Sequence, residues 1–351
     1  MAEPEFTFEL RTCRWAERCW PPEGRERPVL VSRQLGTKRR RWDTVVVEVD
    51  ADAFARRAKF GRERLDGNFL HVVRNAPEAW EWYQDALPDP GYPWRYVRET
   101  IHEADDRGIL DVRKRGRKLE IRRRWEYPDW VRRIVAIENK PDLDASAARN
   151  LRPQMERDVA LALADEVWVA TRATGDKIEP ALLESLPVEA GILTLSGDES
   201  DDYGGFNEQQ TEVAWFPRTL DVDAPGTRIV ERPSGGKYDQ SAATFEYVEP
   251  ARKRKKRLEI AERAYERGWR SYIRTMRPDC RYFELRHENE MLLPYCSAKS
   301  CSQTASNCSG RCSDFEPEPP AWRQKEWPIE GGPGKAIRRL LDSRRERFRP
   351  E

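Results

Sequence analysis

Along the first twenty residues apolar side chains return at helical spacing. Phe6, Leu10, Cys13 and Trp20 share a face of a helix predicted over Glu5–Trp20, which Pro21–Pro22 terminate. The period then drops to two, and Val29–Ser32 and Thr44–Val49 read as strands separated by the polar, basic stretch Gly36–Arg41. From Ala51 to Trp125 the texture changes. Short helical segments are predicted at Asn68–Arg74 and Pro77–Leu87, and a longer one from Pro93 to Arg107. DVRKRGRKLEIRRRW follows as two short strands turning at Arg115–Gly116–Arg117. The strand pattern resumes at Ile134–Glu138. A helix over Ala145–Leu163 follows, with Leu151, Met155, Val159 and Leu163 at every fourth position. Glu166–Thr171 reads as a buried strand, Ile178–Leu186 as a short helix and Gly191–Leu195 as another strand. Residues 197–250 are rich in Gly, Asp, Glu and Pro, and only Thr211–Phe216 reads as a strand there. Arg252–Met276 is predicted as a long basic helix, ahead of a cysteine-rich segment, the linker FEPEPPAW and a charged tail. No internal repeat is evident.

Composition narrows the class without naming a function. A chain of 351 residues can bury a substantial core and has room for more than one domain. The 63 Lys and Arg nearly cancel the 62 Asp and Glu, so the net charge is silent about partners and only the local clustering of charge is informative. Charged residues make up 36% of the chain, yet 13 Trp and recurrent β-branched runs argue against disorder. No apolar run approaches the length of about 18 residues needed to span a bilayer, and the acidic start MAEPEFTFEL lacks a signal-peptide pattern. A soluble, cytoplasmic protein is expected. Cys13 and Cys19 fall on the first helix and read as core residues, whereas five of the seven cysteines crowd into Cys280–Cys312. In a reducing compartment that crowding reads as a metal site before it reads as disulfides.

The stretch IVAIENKPDL, Ile134–Leu143, carries the most chemistry. On a strand, residues two apart share a face and lie about 6.6 Å from one another. Ala136, Glu138 and Lys140 are therefore expected on one face and Val135 and Ile137 on the other. A carboxylate and an amine on a mostly buried strand suit a metal ion with an activated water beside it. An E-x-K triplet alone is expected by chance in so charged a chain, and the bland alternative is a surface ion pair. Context raises it. Without residues 51–125 the predicted order is helix, strand, strand, strand, helix, strand. That order, with Glu138-Asn139-Lys140 on the third strand and Asp43 at the mouth of the second, resembles the PD-(D/E)XK nuclease superfamily.

The resemblance implies an α/β fold with a restriction-endonuclease-like mixed-sheet core over residues 1–50 and 126–196. It implies Mg²⁺-dependent hydrolysis of DNA phosphodiester bonds, in repair, recombination or defence. Asp43 and Glu138 would hold Mg²⁺, and Lys140 would orient or help deprotonate water or stabilise negative charge. Glu9 is a further candidate ligand, and Gln154 completes the set. Pro128-Asp129 matches the family name literally, but the interval Trp130–Ile137 would have to hold a turn and most of a strand, so Asp43 is preferred. The competing readings are a catalytically inactive nuclease-fold protein that binds nucleic acid, and a protein–protein adaptor with Trp-rich surfaces. The whole chain also looks similar to an uncharacterised archaeal family, which implies no activity.

Residues 66–125, within an inserted module over 51–125, resemble a winged helix. Asp111–Trp125 carries eight Lys and Arg against two acids, and the candidate recognition helix bears Trp94, Arg95, Tyr96 and Arg98. A basic wing can follow phosphates while a helix enters a groove. A helical lid with a solvated hairpin, or a protein-binding winged helix, is the plainer reading. Lys38–Arg41, beside Asp43, would hold the scissile strand electrostatically. The expected partner is nucleic acid, double-stranded DNA first, with no membrane and with a homodimer left open. Residues 197–250 form an irregular extension, 251–320 a basic helix with a Cys-rich metal module, and 321–351 a charged tail.

In the Cys-rich module, Cys280, Cys296, Cys308 and Cys312 are the expected ligands of a structural Zn²⁺, leaving Cys301 spare and His287 a weaker substitute. A [4Fe–4S] cluster, free thiols and disulfides are the alternatives. Some RecB-like relatives of the superfamily hold an iron–sulfur cluster with cysteines flanking the core. All five here follow the core, which favours zinc. The run Arg252–Arg257 opens a helix against its macrodipole, and a solvated face is preferred there to phosphate binding.

Overall fold

The computed structural model describes residues 5–25, 27–172, 185–195, 211–231, 244–270, 276–277, 280–288, 291–304, 307–308 and 312–316. The chain opens with α1 (Glu5–Cys19), then β1 (Val29–Gly36) and β2 (Arg41–Val49), both longer than the apolar alternation predicts. Between β2 and the next long strand lie α2 (Ala51–Arg57), α3 (Gly67–Asn75), β3 (Glu81–Trp82), α4 (Tyr83–Ala86), α5 (Trp94–Asp106), β4 (Leu110–Arg115) and β5 (Lys118–Arg123). The strand carrying Glu138 is β6 (Val131–Asn139), followed by α6 (Ala145–Leu161), β7 (Glu166–Arg172), β8 (Ala190–Leu195) and β9 (Thr211–Trp215). Then come β10 (Gly226–Glu231), β11 (Thr244–Val248), α7 (Pro250–Arg267), β12 (Phe283–Glu288), β13 (Met291–Cys296) and β14 (Cys301–Ser302).

A six-stranded mixed sheet, ordered β1-β2-β6-β7-β8-β9, organises the molecule. The first three strands pair antiparallel, β6, β7 and β8 run parallel, and β9 returns antiparallel. Helix α6 is the crossover that a parallel β6–β7 pair requires. Strand alternation gives the sheet two apolar faces, as the period of two demands. Val46, Val135, Ile137 and Trp168 pack beneath α1 with Phe8, Leu10 and Trp15. On the other face Val45, Val47, Ile134 and Ala136 meet Ile260, Ala261 and Ala264 of α7, and Val167 and Val169 meet Leu151 and Met155 of α6. Glu138 shares the parity of Ala136 and therefore faces the α6–α7 layer.

The segment between β2 and β6 buries a cluster of its own, built on Leu70, Val73, Val97, Ile101 and Ile121 beside a three-stranded sheet ordered β3-β5-β4. Pro77–Leu87 was expected to be helical. It instead yields the short β3, whose Glu81 and Trp82 pair with Ile121 and Glu120 of β5, and the single turn α4. The β4–β5 hairpin is less free than its charge suggests. Asp111 holds Arg122 and Arg124 at 2.5 and 2.6 Å, Glu120 holds Arg113 at 2.6 Å, and Trp80 lies under Arg113 and Arg122. Lys114 and Arg117 near the tip make no ion pair among the described residues.

Three further expectations need correction. Strands β10 and β11 form a hairpin inside the region read as irregular. The basic helix ends at Arg267 rather than Met276, because Gly268 takes a positive φ of 58° there. Its basic run is also not simply solvated: Lys253 is buried and donates to the carbonyls of Asp221 and Ala224 at 3.0 Å, and Arg257 pairs with Asp165 at 2.7 Å. Farther along α7, buried Glu262 accepts from Arg57 at 2.5 Å, from the amide of Leu65 at 2.8 Å and from Tyr127 at 2.7 Å, tying the inserted segment to the core. Most of the helix predicted at Ile178–Leu186 lies outside the described residues, as do 321–351. Among the described residues no helix is long and apolar enough to cross a membrane.

Candidate functional site

The register of the antiparallel strands assembles the site. Thr44 pairs with Ile137, so the next step along both strands sets Asp43 opposite Glu138, and on the other side of β2 Gln34 falls opposite Asp43. Directly opposed residues on antiparallel strands hold their Cβ atoms about 4.5–5.5 Å apart, and like charges so placed repel. One carboxylate thus faces another at the end of the sheet. Asp129, the alternative first acid, is exposed ahead of β6. From Val131, the first residue of that strand, to Glu138 the chain runs roughly 23 Å at the usual strand rise. Asp129 therefore belongs to the opposite end of the strand.

Hydrogen bonds fix both acids. Asp43 Oδ1 accepts from the Gln34 side chain at 3.1 Å and Oδ2 from the backbone amide of Asn139 at 3.0 Å. Glu138 is buried; its Oε1 accepts from Arg40 and its Oε2 from Gln154. Gln154 and Asp158 stand one turn apart on α6 and so share a face. Asp158 is fully buried and grips Arg40 through both oxygens, at 2.6 and 2.5 Å, while accepting from the Trp42 indole at 2.9 Å. Arg40 thereby links two buried carboxylates.

Burial pushes the Glu138 carboxyl up to about 9, and the charge of Asp43 pushes the same way against the pull of Arg40. Burial also raises Asp158, with Arg40 opposing. Lys140 lies just past the end of β6, and its Nζ donates to Glu5 at 2.6 Å. Burial alone would lower its ammonium, but Glu5, Asp43 and Glu138 together carry it above the ordinary lysine value. It is therefore a cation at neutral pH, suited to stabilising charge and unsuited to removing a proton.

Glu9 lies on the other side of the sheet. It is buried, clamped by Arg33 at 3.0 Å through two bonds, and bridged to Asp43 by Gln34, whose amide nitrogen is 3.0 Å from Glu9 Oε1. Burial raises its carboxyl, with Arg33 opposing. Gln34 makes this bridge with a φ of 51°, a region that costs a non-glycine residue about 1 kcal/mol or more.

A cavity of about 580 Å³ gathers Asp43, Glu138, Lys140 and Gln154 with Gln34 and Glu5, and Lys38, Arg39 and Arg41 stand exposed along it. The four basic residues read as a phosphate-binding run thus divide. Arg40 turns inward and three remain outside. Gln34 and Asp158 were not anticipated as site residues, and Arg40 was expected only as part of the phosphate-binding run. Asp158 had a signal, since it is an acid four positions after Gln154 beside the apolar stripe of Leu151 and Met155. Gln34 had none, because its role depends on cross-strand register.

In the C-terminal module the β12–β13 hairpin pairs Phe283 with Cys296, and the amide of Phe283 donates to the carbonyl of Cys280 at 3.0 Å. Cys280, Cys296, Cys308 and Cys312 line one small cavity of about 20 Å³. Burial pushes the Cys308 thiol up, the backbone amide of Arg277 opposes, and the three other sulfurs push it further up. No cysteine forms a disulfide. Cys13, on the buried face of α1, lies 3.3 Å from the Thr44 hydroxyl. Among the described residues no three His, Cys, Asp or Glu side chains already enclose a position for a metal ion.

Fold and site together define a mixed α/β protein with a carboxylate-lined, basic-rimmed cavity at one end of its central sheet. Residues 30–317 match the family of unknown function DUF5787, and the chain belongs to that family. No curated protein and no solved structure matches it.

Proposed function

We propose that the chain is a Mg²⁺-dependent nuclease of PD-(D/E)XK type acting on DNA, with its centre in the cavity shared by Asp43, Glu138 and Lys140. The observation that carries this reading is the cross-strand placement of Asp43 against Glu138 with Lys140 at the same cavity. The charge of Asp43 raises the cost of ionising buried Glu138 unless a cation sits between them. The helix–three-strand–helix–strand order and the α6 crossover support the same reading. So does the inserted segment, whose α3, β3, α4, α5, β4, β5 order and β3-β5-β4 sheet resemble those of a winged helix.

The donor set fits Mg²⁺, which takes hard oxygen ligands and commonly one or two carboxylates, keeping other positions for water and phosphate. Each oxygen of Asp43 and Glu138 uses one acceptor position for its present partner and has another left. Bound there, the ion would lower the pKa of a coordinated water and neutralise phosphate oxygens. Gln34 and Gln154 hold the two carboxylates in position. Lys140 sets a positive charge where negative charge grows on the phosphate. Lys38, Arg39 and Arg41 attract the backbone of the substrate.

Arg40 favours the second reading, a catalytically inactive protein of the same fold that binds nucleic acid. Its guanidinium already neutralises Glu138. One experiment separates the two. Linear, circular, single-stranded and branched DNA are incubated with wild type, Glu138→Ala and Lys140→Ala, in Mg²⁺ or EDTA. Mg²⁺-dependent cleavage lost in both variants supports the nuclease. Equal binding by all three proteins with no cleavage by any sinks it.

A further inference from the structure

We propose that Cys280, Cys296, Cys308 and Cys312 bind one Zn²⁺ as a closed structural site that fastens the C-terminal module to α1. The inference is independent of the carboxylate cavity and stands whether or not that cavity is catalytic. Three observations carry it.

The first is convergence. The four sulfurs come from different parts of the module: ahead of β12, at the end of β13, and from two loop positions after β14. They nevertheless line one cavity. The second is size. About 20 Å³ is room for one small ion or one water, which favours a single metal ion over a cube of four irons and four sulfides. The third is the set of donors already aimed at sulfur. The backbone amide of Arg277 approaches Cys308 Sγ at 3.4 Å, and Lys299 Nζ lies 3.2 Å from Cys312 Sγ. Hydrogen bonds of this kind favour thiolates and orient metal ligands.

Cys301 is the internal control. It faces Cys296 across the β13–β14 ladder, but it is exposed, does not line the cavity, and its sulfur accepts from Gln303 at 3.0 Å. The sulfurs have yet to be drawn to coordinating distance, about 2.3 Å from zinc. Cys280, Phe283 and Leu293 belong to the apolar cluster that holds Phe8 and Trp15 of α1. A metal closed by four thiolates would therefore fix a hairpin that covers the first helix, and metal-binding energy would become folding energy.

The test uses the full chain purified under reducing, anaerobic conditions and reconstituted with ZnCl₂. Elemental analysis should find about one zinc per chain, lost in Cys308→Ser and Cys312→Ser and retained in Cys301→Ser. Because those variants could fail to fold, wild type is also titrated with a thiol reagent. Chelation should make four additional thiols reactive, and Co²⁺ in place of zinc should give the intense absorption of a tetrahedral thiolate site. Three outcomes would overturn the proposal. Wild type could hold no zinc after reconstitution, Cys301→Ser could lose as much zinc as Cys308→Ser, or iron and sulfide could be found with a visible charge-transfer band.

Discussion

Replacing Glu138 by Gln should stabilise the metal-free protein, and by more the higher the pH. The folded carboxyl is held at about 9, against 4.5 ordinarily, by burial first and by Asp43 second. In the unfolded chain it ionises at the ordinary value. The folded value is the raised one, so the favourable contribution is complete below about pH 4.5 and is lost progressively as pH rises toward 9. Each pH unit in that window costs about 1.4 kcal/mol, so the wild-type penalty at pH 7 is about 3 kcal/mol. Gln keeps the shape and an oxygen for Arg40, and Gln154 can turn its carbonyl toward the new amide. Imperfect replacement of the carboxyl's hydrogen bonds to Arg40 and Gln154 takes back part of the gain, leaving a net advantage of about 1–3 kcal/mol at pH 7 and little at pH 5.

The assay is urea unfolding of both proteins in EDTA at pH 5, 7 and 8.5. A stability difference that stays flat across that range, or that favours wild type at pH 8.5, would refute the reasoning. Adding Mg²⁺ supplies the second half of the test. A ligand at a hundred times its Kd stabilises by about 2.7 kcal/mol, so saturating Mg²⁺ should reverse the order in favour of wild type. If both proteins respond equally, Glu138 is not a ligand.

The remaining predictions address its neighbours. Arg40→Met should cost about 3–5 kcal/mol in urea, because Glu138 and Asp158 would be left buried without their cation, and adding Asp158→Asn should recover part of that loss. Lys140→Ala should change stability by no more than about 1 kcal/mol, its bond to Glu5 being partly solvated, while cleavage falls by about 100-fold or more. Asp43→Asn should abolish cleavage, and Asp129→Asn should leave both cleavage and stability within about 0.5 kcal/mol of wild type. Lys38→Ala with Arg41→Ala should weaken DNA binding on every sequence and lower the salt slope by about two.

Residue type and spacing were enough to find the chemistry-bearing strand, because alternation of apolar residues and one E-x-K triplet are local properties. β6, α6 and β7 stand where the pattern of IVAIENK, the fourfold spacing of Leu151 and Met155, and EVWVAT put them. The companion acid was also within reach. A strand opening on WDTVVVEV leaves its aspartate at the mouth, and the antiparallel register then sets it against Glu138. Arg40 was not. Four consecutive Lys and Arg read as one solvated surface, and nothing local says that the third is buried between acids distant in sequence, 98 and 118 residues away. That assignment comes from the fold alone, and it changes the argument about function. A metal that takes the free acceptor position of Glu138 must compete with the charge of a guanidinium that also holds buried Asp158. On the proposed reading, Arg40 would therefore divide an active nuclease from a silent one. If Mg²⁺ wins Glu138 from it, Arg40 remains with Asp158 and the centre opens; if it does not, the two carboxylates stay neutralised from within and the cavity serves binding alone.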